Sequence, residues 1–421
     1  MKNLNDDAAS GSGAHDVLPF EPVALDEMSV EELAPKLIAH AMELPASDLF
    51  VVANETDVTI AVRHFGMMKK YTSCSSELGR RLVNHFKAYG GMDIAQTRRP
   101  LDGRWVHQRD SGLKVDLRLS TIPTLYGEDL AIRLLRRDAA LLDLANLGLH
   151  RKDLSDLHSL LNQPSGLLLV TGPTGSGKTT SLYACLHYLN SGTRKINTIE
   201  DPVEYELEGT RQSQVNLRMG VDFPELLRSV LRQAPDVIML GEIRDPITAE
   251  TAVRAANSGH LVLATLHAPV AAAAIDSMLA YNVHPYFLST CLLGIASQRL
   301  VRTLCDECKV AYDLSGTPQT FEDIKRWLEP GEGESIYSAT GCEHCFHEGY
   351  GGQTGVFEVL RISNEIRRFI LDRNSAREIR EKAIDQGMLD LRRSALLKVA
   401  KGITSTEEVV RNIPTEHLIP H

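Results

Sequence analysis

The sequence predicts an α/β protein in which a doubly wound, mainly parallel sheet follows a smaller α+β domain. From residue 166 onward, short continuous apolar runs alternate with helical segments, a pattern typical of strands that are buried on both faces. Before about residue 137, apolar and polar residues instead alternate in strand-like stretches behind one helix. The change of pattern predicts two domains, which the chain length of 421 residues also favours.

Composition limits the kind of protein and its compartment. Hydrophobic residues make up 43% and charged residues 24%, as in soluble globular proteins, and no apolar run approaches the roughly 18 residues of a membrane span. The first residues lack the apolar core of a secretory signal, so we expect a cytoplasmic protein that contacts membranes only through partners. The net charge of −10 argues against nucleic-acid binding.

The N-terminal part contains three segments. Residues 1–27 are rich in Gly, Ser, Ala and Asp and are predicted to be a disordered tail. Residues 28–137 form the predicted α+β domain, which begins with a helix capped by Ser29 and continues with alternating strands in DVTIAVRHF, LKVDLRLST and DLAIRLL. A linker over 138–146 follows.

The second predicted domain covers residues 147–421. Its buried strands are predicted in four apolar runs, GLLLVTG, INTIED, DVIMLGE and HLVLATLH. Helices are predicted at its C-terminal end, over residues 363–412.

A phosphate-binding signature opens the helix after the first of these strands. GPTGSGKTT fits the pattern GxxxxGK[ST], in which glycines let backbone N–H groups surround phosphates at a helix N-terminus. An accidental glycine-rich turn is the alternative, and the strand before the motif and the helix after it argue against this. The predicted nucleotide-binding residues are Gly172, Pro173, Thr174, Gly175, Ser176, Gly177, Lys178, Thr179 and Thr180.

Acidic residues and histidines follow or flank the neighbouring strands. Glu242 comes directly after one apolar run, and Glu200 and Glu204 lie after another. Hydrolysis requires carboxylates that organise the metal shell and orient water, although any single one of them could equally be a solvated loop residue. His260 and His267 stand at the two ends of a further strand, where each is either a structural histidine or a sensor of the γ-phosphate.

Four cysteines have the spacing of a metal site. Cys305 and Cys308 form one CxxC pair, and Cys342 and Cys345 form another after 33 intervening residues. Four thiolates in two such pairs suit tetrahedral Zn²⁺ in a structural module, here over about residues 300–350. The alternative is four thiols without metal. Three other cysteines lack such spacing and are interpreted as apolar residues: Cys74, Cys185 and Cys291.

The order of these motifs resembles one known family. GPTGSGKTT, TIEDPVE, RQAPDVIMLGEIRD, GHLVLATLH, QRLVRTLC and GYGGQTGVFEVL occur in the order seen in type II secretion and type IV pilus assembly ATPases of the GspE/PilB type. The resemblance implies a RecA-like ATPase domain behind a PAS-like N-terminal domain. It also implies a homo-hexamer in which these lobes rotate against each other around ATP.

The resemblance also assigns roles to residues. Lys178 would neutralise the β and γ phosphates, and Thr179 would ligate Mg²⁺. Glu204 would position or deprotonate the attacking water with Glu200 nearby, and Glu242 would organise the magnesium shell. His260 and His267 match the family's histidine box. In the N-terminal domain, segments similar to the family's arginine-bearing ones make Arg104, Arg118 and Arg133 candidate contacts to nucleotide, with surface ion pairs as the alternative.

The implied cofactors are ATP, Mg²⁺ and Zn²⁺, and the implied partner is the inner-membrane platform protein of a pilus or type II secretion system. The short polar N-terminus predicts recruitment through that platform to the inner face of the cytoplasmic membrane. The leading hypothesis is a motor for pilus or pseudopilus assembly, because the resemblance associates the tetracysteine module with assembly motors. Two alternatives stay open: a retraction or conjugation-type motor, and a slow nucleotide-dependent scaffold.

Overall fold

The structure is a computed structural model that describes residue 25 and residues 28–108, 114–135, 139–314 and 316–418. The predicted disordered tail, residues 1–27, lies outside the described residues except for Leu25. The chain divides into two compact units, one up to Arg137 and one from Asp138. Each unit is described by itself.

The N-terminal unit is a six-stranded antiparallel sheet with two helices packed against it. The strand order is β3-β2-β1-β6-β5-β4. Both helices present apolar residues to the sheet, including Leu33 and Leu37 at the predicted helical spacing. The elements are α1 Val30–Glu43, β1 Ala46–Ala53, β2 Asp57–His64, β3 Met67–Ser75, α2 Ser76–Tyr89, β4 Leu101–Gln108, β5 Lys114–Pro123 and β6 Glu128–Leu135.

The second unit is built on a seven-stranded sheet in the order β15-β12-β7-β11-β10-β8-β9, parallel except for β15. Two short 3₁₀ turns, Ala139–Leu142 and Leu144–Leu147, precede it and contact α4, so most of the segment predicted as a linker has regular structure. The first elements are α3 Arg151–Leu161, β7 Gly166–Thr171, α4 Lys178–Leu189, β8 Ile196–Glu200, β9 Arg211–Gln214, α5 Phe223–Val230, β10 Val237–Leu240, α6 Pro246–Asn257 and β11 Leu261–Leu266.

The remaining elements complete the sheet edge and carry a small two-stranded ribbon, β13-β14. They are α7 Ala271–Ala280, α8 Pro285–Cys291, β12 Leu292–Leu304, β13 Val310–Asp313, β14 Ser335–Ser338, β15 Tyr350–Arg361, α9 Asn364–Leu371, α10 Ala376–Asp385, α11 Leu391–Ala400 and α12 Thr406–Asn412. No helix within these described residues is both long and apolar enough to cross a membrane.

Helices cover both faces of the large sheet, which explains the continuous apolar runs in the sequence. In β7, Leu167 and Leu169 pack into one core and Leu168 and Val170 pack into the other. Successive strand residues point to opposite faces, so every position of a doubly covered strand must be apolar. Each such fully buried side chain contributes about 1.5–3 kcal/mol to folding.

One buried carboxyl group in α3 makes stability depend on pH. The Asp153 side chain is fully buried, and neither of its oxygens has a hydrogen-bond partner among the residues that the structure describes. Burial raises the pKa of Asp153 to about 7; Lys152 opposes this shift, and the nearby Asp156 and Glu358 add to it. The folded state therefore holds a proton that the unfolded chain releases, and stability from this group is lost as pH rises toward 7.

We expect Asp153→Asn to remove this pH dependence. The native chain should lose about 2 kcal/mol of unfolding free energy between pH 5 and pH 8, because Asp153 ionises over this range. The variant should not show this loss, because asparagine stays neutral at both pH values. Urea denaturation at the two pH values measures the difference. Asp385→Asn, an exposed position, is the control. If Asp153→Asn changed the unfolding free energy by the same amount at both pH values, the expectation would be contradicted.

Candidate nucleotide-binding site

The loop between β7 and α4 has the backbone that the phosphate-binding motif requires. Gly172 and Gly177 have φ angles of 149° and 86°, which residues other than glycine rarely adopt. A Cβ atom at Gly172 would also lie 2.5 Å from the backbone oxygen of Gln298. The chain turns directly into α4 at Lys178, so the loop's N–H groups lie at a helix N-terminus, where anions bind favourably.

Lys178 turns back onto this loop. Its Nζ donates to the carbonyl oxygens of Gly172, at 2.9 Å, and Pro173, at 3.0 Å. Burial lowers the pKa of Lys178; the negative charge of Glu242 opposes that shift and the positive charge of Arg299 adds to it. An ammonium group that is partly desolvated and held only by neutral carbonyls is well suited to exchange them for phosphate oxygens.

Glu242 forms the centre of a charged cluster at the carboxyl edge of the sheet. It follows β10, and its Oε1 lies 2.9 Å from Nε2 of His267, which follows the neighbouring strand β11. Arg244 Nε donates to the other carboxylate oxygen at 2.6 Å, and Arg244 Nη1 lies 3.7 Å from Asp201. Sequence reasoning did not identify Arg244, although it stands within the quoted GEIRD.

Glu200 and Glu204 occupy different environments. Glu200 is buried at the end of β8, where one oxygen accepts from Tyr183 Oη and the other accepts from Thr198 Oγ1 at 2.5 Å and from Gln212 Nε2 at 3.1 Å. Glu204 is half-buried in the following loop, and its backbone N–H donates to Tyr183 Oη at 3.3 Å. Glu200 is thus committed to internal hydrogen bonds and, through Tyr183, supports the loop that carries Glu204.

We expect Tyr183→Phe to weaken both the fold and the support of this loop. Removing the hydroxyl takes away a buried donor to a carboxylate, which costs about 1–3 kcal/mol of stability. It also frees the Glu204 loop, so kcat for ATP hydrolysis should fall while nucleotide binding stays unchanged. Denaturation and phosphate release measure the two effects. Tyr188→Phe, on the exposed side of the same helix, is the control, and an unchanged stability in Tyr183→Phe would contradict the expectation.

The structure does not bring His260 to this cluster. His260 precedes β11, at the amino edge of the sheet, whereas His267 follows the same strand at the carboxyl edge. Six strand residues separate the two edges by about 20 Å. His260 Nδ1 lies 3.0 Å from the carbonyl oxygen of Ala255, a contact that suits the structural alternative, and a catalytic role of His260 stays a prediction.

The three candidate arginines of the N-terminal unit lie side by side. Arg104 on β4 pairs with Arg118 on β5, and Arg118 pairs with Arg133 on β6, so the three side chains share one row on one face of the sheet. Arg104 forms an ion pair with Asp116, and Arg133 lies 3.4 Å from Asp48. The sequence motifs therefore selected residues that are neighbours in space, and Arg104 and Arg133 have ion-pair partners, as the alternative interpretation expects.

The four spaced cysteines converge in the second unit. Their sulfur atoms all lie within 4.8 Å of one another, with Sγ–Sγ distances of 3.9 Å for Cys305–Cys342, 3.7 Å for Cys308–Cys345 and 3.7 Å for Cys342–Cys345. Tetrahedral Zn²⁺ with Zn–S bonds of about 2.3 Å requires sulfurs about 3.8 Å apart. Backbone N–H groups of Gly341 and Gly349 donate to Cys308 and Cys345. The donor set thus fits zinc.

The fold and the site together define a P-loop ATPase of the RecA-like class. The family model described as "Type II/IV secretion system protein" matches residues 23–411, and the chain belongs to that family. It is 40% identical over 386 residues to the type II secretion system ATPase E of Vibrio cholerae, covering 92% of this chain and 76% of that one. It is 39% identical to the type IV pilus assembly ATPase PilB of Thermus thermophilus, covering 92% of this chain and 43% of that one.

Solved structures agree on the fold. The ATPase DotB of Legionella pneumophila superposes with a TM-score of 0.69 at 20% identity, covering 93% of this chain and 97% of that one. The pilus retraction motor PilT with bound ADP superposes with a TM-score of 0.60 at 25% identity, covering 90% and 96%. The fold is thus shared by a protein named as an ATPase and by one named as a pilus retraction motor.

Proposed function

We propose that this chain hydrolyses Mg²⁺·ATP at the carboxyl edge of β7, β8, β10 and β11 and couples the reaction to assembly of a pilus or pseudopilus. The observation that carries the proposal is the meeting, at one sheet edge, of the Lys178 loop and the Glu242–His267 pair. A protein that only bound nucleotide would need the phosphate-binding loop but not the carboxylate of Glu242 paired with His267. The type II secretion system ATPase E and the type IV pilus assembly ATPase PilB among its relatives support the direction of work.

In this mechanism Lys178 leaves the carbonyl oxygens of Gly172 and Pro173 and binds the β and γ phosphates. Thr179, the second residue of α4, would hold Mg²⁺ that arrives with ATP, and Glu242 would bind that ion's water shell. Glu204 orients the attacking water and accepts its proton. His267 senses the γ-phosphate through its bond to Glu242, and Glu200 acts by supporting Tyr183 and the Glu204 loop.

Arg244 would change partner during this cycle. It neutralises Glu242 at 2.6 Å, and its side chain is 60% exposed and therefore free to move. A magnesium ion near Glu242 would repel the guanidinium group and leave it available to phosphate oxygens. Arg104, Arg118 and Arg133 of the N-terminal unit would supply further positive charge to nucleotide phosphates.

The cysteine module would hold one Zn²⁺ in a purely structural role, because four thiolates leave no open coordination position for chemistry. Its presence favours assembly over retraction by the family resemblance. The protein would work as a homo-hexamer in the cytoplasm, and it would reach the inner membrane by binding the cytoplasmic part of a platform protein.

The test is deletion of the gene in its host, with complementation by the native chain or by Lys178→Ala. Loss of surface filaments or of secretion, restored only by the native chain, would support an ATP-driven assembly motor. Excess filaments after deletion would instead show retraction. Restoration by Lys178→Ala would show that hydrolysis is dispensable and would favour the scaffold.

A further inference from the structure

Two adjacent residues of β12 contact the two loops that form the nucleotide site. Gln298 is buried, and its Nε2 donates to the carbonyl oxygen of Ser176 in the phosphate-binding loop at 2.6 Å. Its Oε1 accepts from Ser181 Oγ of α4 at 2.7 Å. A single amide side chain therefore joins the phosphate-binding loop to the first turn of the helix behind it.

Arg299 binds the second of these loops, which follows β11 and carries His267. It is 5% exposed, and its Nη2 donates to the carbonyl oxygen of Pro269 at 2.6 Å while its Nη1 donates to Gln298 O at 3.0 Å. Pro269 follows His267 by two residues. Because successive strand residues point to opposite faces of a sheet, one strand can hold the phosphate-binding loop from one face and the His267 loop from the other.

The residue between His267 and Pro269 is fixed as well. Thr171, the last residue of β7, donates from its hydroxyl to the carbonyl oxygen of Ala268 at 3.0 Å and accepts from the N–H of Ala268 at 2.8 Å. Both backbone polar groups of Ala268 are thereby bound to the residue that precedes Gly172. The position of His267 is consequently set relative to the phosphate-binding loop by Thr171 and Arg299.

Glu358 completes the arrangement and connects it to the C-terminal helices. It is fully buried on β15 and accepts from the N–H groups of Ala271 at 2.8 Å and Leu391 at 3.2 Å, which begin α7 and α11. Burial lowers the pKa of Arg299, and the nearby Glu358 opposes that shift. The segment from His267 to α7 is thus held at Ala268, Pro269 and Ala271 by side chains from three different strands.

We propose that Arg299 is a positioning residue for ATP hydrolysis, which holds Pro269 so that His267 stays paired with Glu242 at the correct distance from Lys178. Gln298 is its counterpart on the phosphate-binding loop. This role rests on the proposed function of His267. It predicts a larger effect on the chemical step than on nucleotide binding, because the hydrogen bonds of Arg299 go to the backbone of the His267 loop and of its own strand.

The experiment is a double-mutant cycle between Arg299→Met and His267→Gln in the full chain, with kcat and KM for ATP measured for all four proteins. We expect Arg299→Met to lower kcat by about tenfold to a hundredfold, with KM changed less than about twofold. In the His267→Gln background the same change should lower kcat by less than about twofold, because the group it positions is already absent.

Arg302→Met is the matched control, since Arg302 lies on the same strand, is also largely buried and pairs with Glu408 away from the site. Its effect should be the same in both backgrounds. If Arg299→Met does not fold, Arg299→Lys replaces it in the cycle, and the same non-additivity is expected with a smaller first loss.

The role of Arg299 would be overturned if the kcat losses of the two single variants multiplied in the double variant, or if KM rose as much as kcat fell. Either outcome would leave the proposed function of His267 intact. A His267→Gln enzyme with full kcat would instead refute the role of His267, and with it the route by which Arg299 acts. Near-complete non-additivity with normal KM would support both.

Discussion

Glutamine in place of Glu204 is expected to lower kcat for ATP hydrolysis by about 10²–10⁴-fold, the range that a positioned general base supplies. The carboxylate would orient the attacking water and accept its proton, and an amide cannot accept it. Nucleotide binding should persist, because Lys178 and the loop after β7 remain intact. Steady-state phosphate release and titration with a fluorescent ATP analogue measure the two quantities.

Two neighbouring glutamates make this experiment specific. Glu206→Gln lies two residues away and is exposed, so it should leave kcat unchanged. Glu200→Gln should reduce stability as well as activity, because Glu200 accepts hydrogen bonds from Tyr183, Thr198 and Gln212. If Glu204→Gln hydrolyses ATP within about twofold of the native rate, the base lies elsewhere, and Glu242 becomes the next residue to replace.

The large sheet could be predicted because its strands are covered on both faces. Such strands read as unbroken apolar runs, and β7, β8, β10 and β11 were all recognised from them. The phosphate-binding loop is local, so its glycines and lysine also follow from spacing alone. The carboxyl edge where Glu242 meets His267 follows from the parallel order of these strands.

The N-terminal sheet was predicted less completely. Strand β1 buries only three of its eight residues, and β3 carries polar and charged residues at most of its outward positions. Strand β4 alternates between half-buried and exposed residues along its whole length. Such half-exposed strands have a weak apolar signal. The row of Arg104, Arg118 and Arg133 depends on strand register, which no local pattern in these segments specifies.

Partners within the site escaped prediction for a related reason. Arg244, Gln298 and Arg299 stand within quoted family segments and Tyr183 lies in the helix after the phosphate-binding motif, but no spacing marks any of them as part of a nucleotide site. They act through hydrogen bonds to residues up to 122 positions away, such as Gln298 to Ser176. Contacts of this kind appear only when the chain is folded, because they depend on which strands become neighbours.

His260 shows a second limit of local sequence patterns, and its catalytic role stays a prediction. His260 and His267 occur in one quoted segment, and spacing treats them alike. In the structure they stand at opposite edges of the sheet, and only His267 reaches Glu242. A strand separates its two ends by its full length, so residues that share a motif across a strand do not share a site.

Replacing Cys342 and Cys345 together by serine is expected to remove one Zn²⁺ per chain and to unfold the module between Cys305 and Cys345. Metal binding to such sites supplies on the order of 10 kcal/mol of folding free energy, and the short ribbon β13-β14 has little core of its own. Zinc content by atomic emission spectroscopy and limited proteolysis measure the loss, and new cleavage sites should fall within residues 305–345.

We expect the loss of structure to extend to α12, because residues next to the module contact that helix and its N-cap. Arg302 pairs with Glu408 at 2.6 Å and stacks over the ring of Tyr350, whose hydroxyl lies 2.8 Å from Ser405 Oγ. Cys291→Ala, a buried cysteine outside the cluster, should keep the zinc and the native cleavage pattern. A chain that is purified without zinc and resists protease over residues 305–345 would show that the four thiols hold the module without metal. The assignment of assembly over retraction would then rest on the relatives alone.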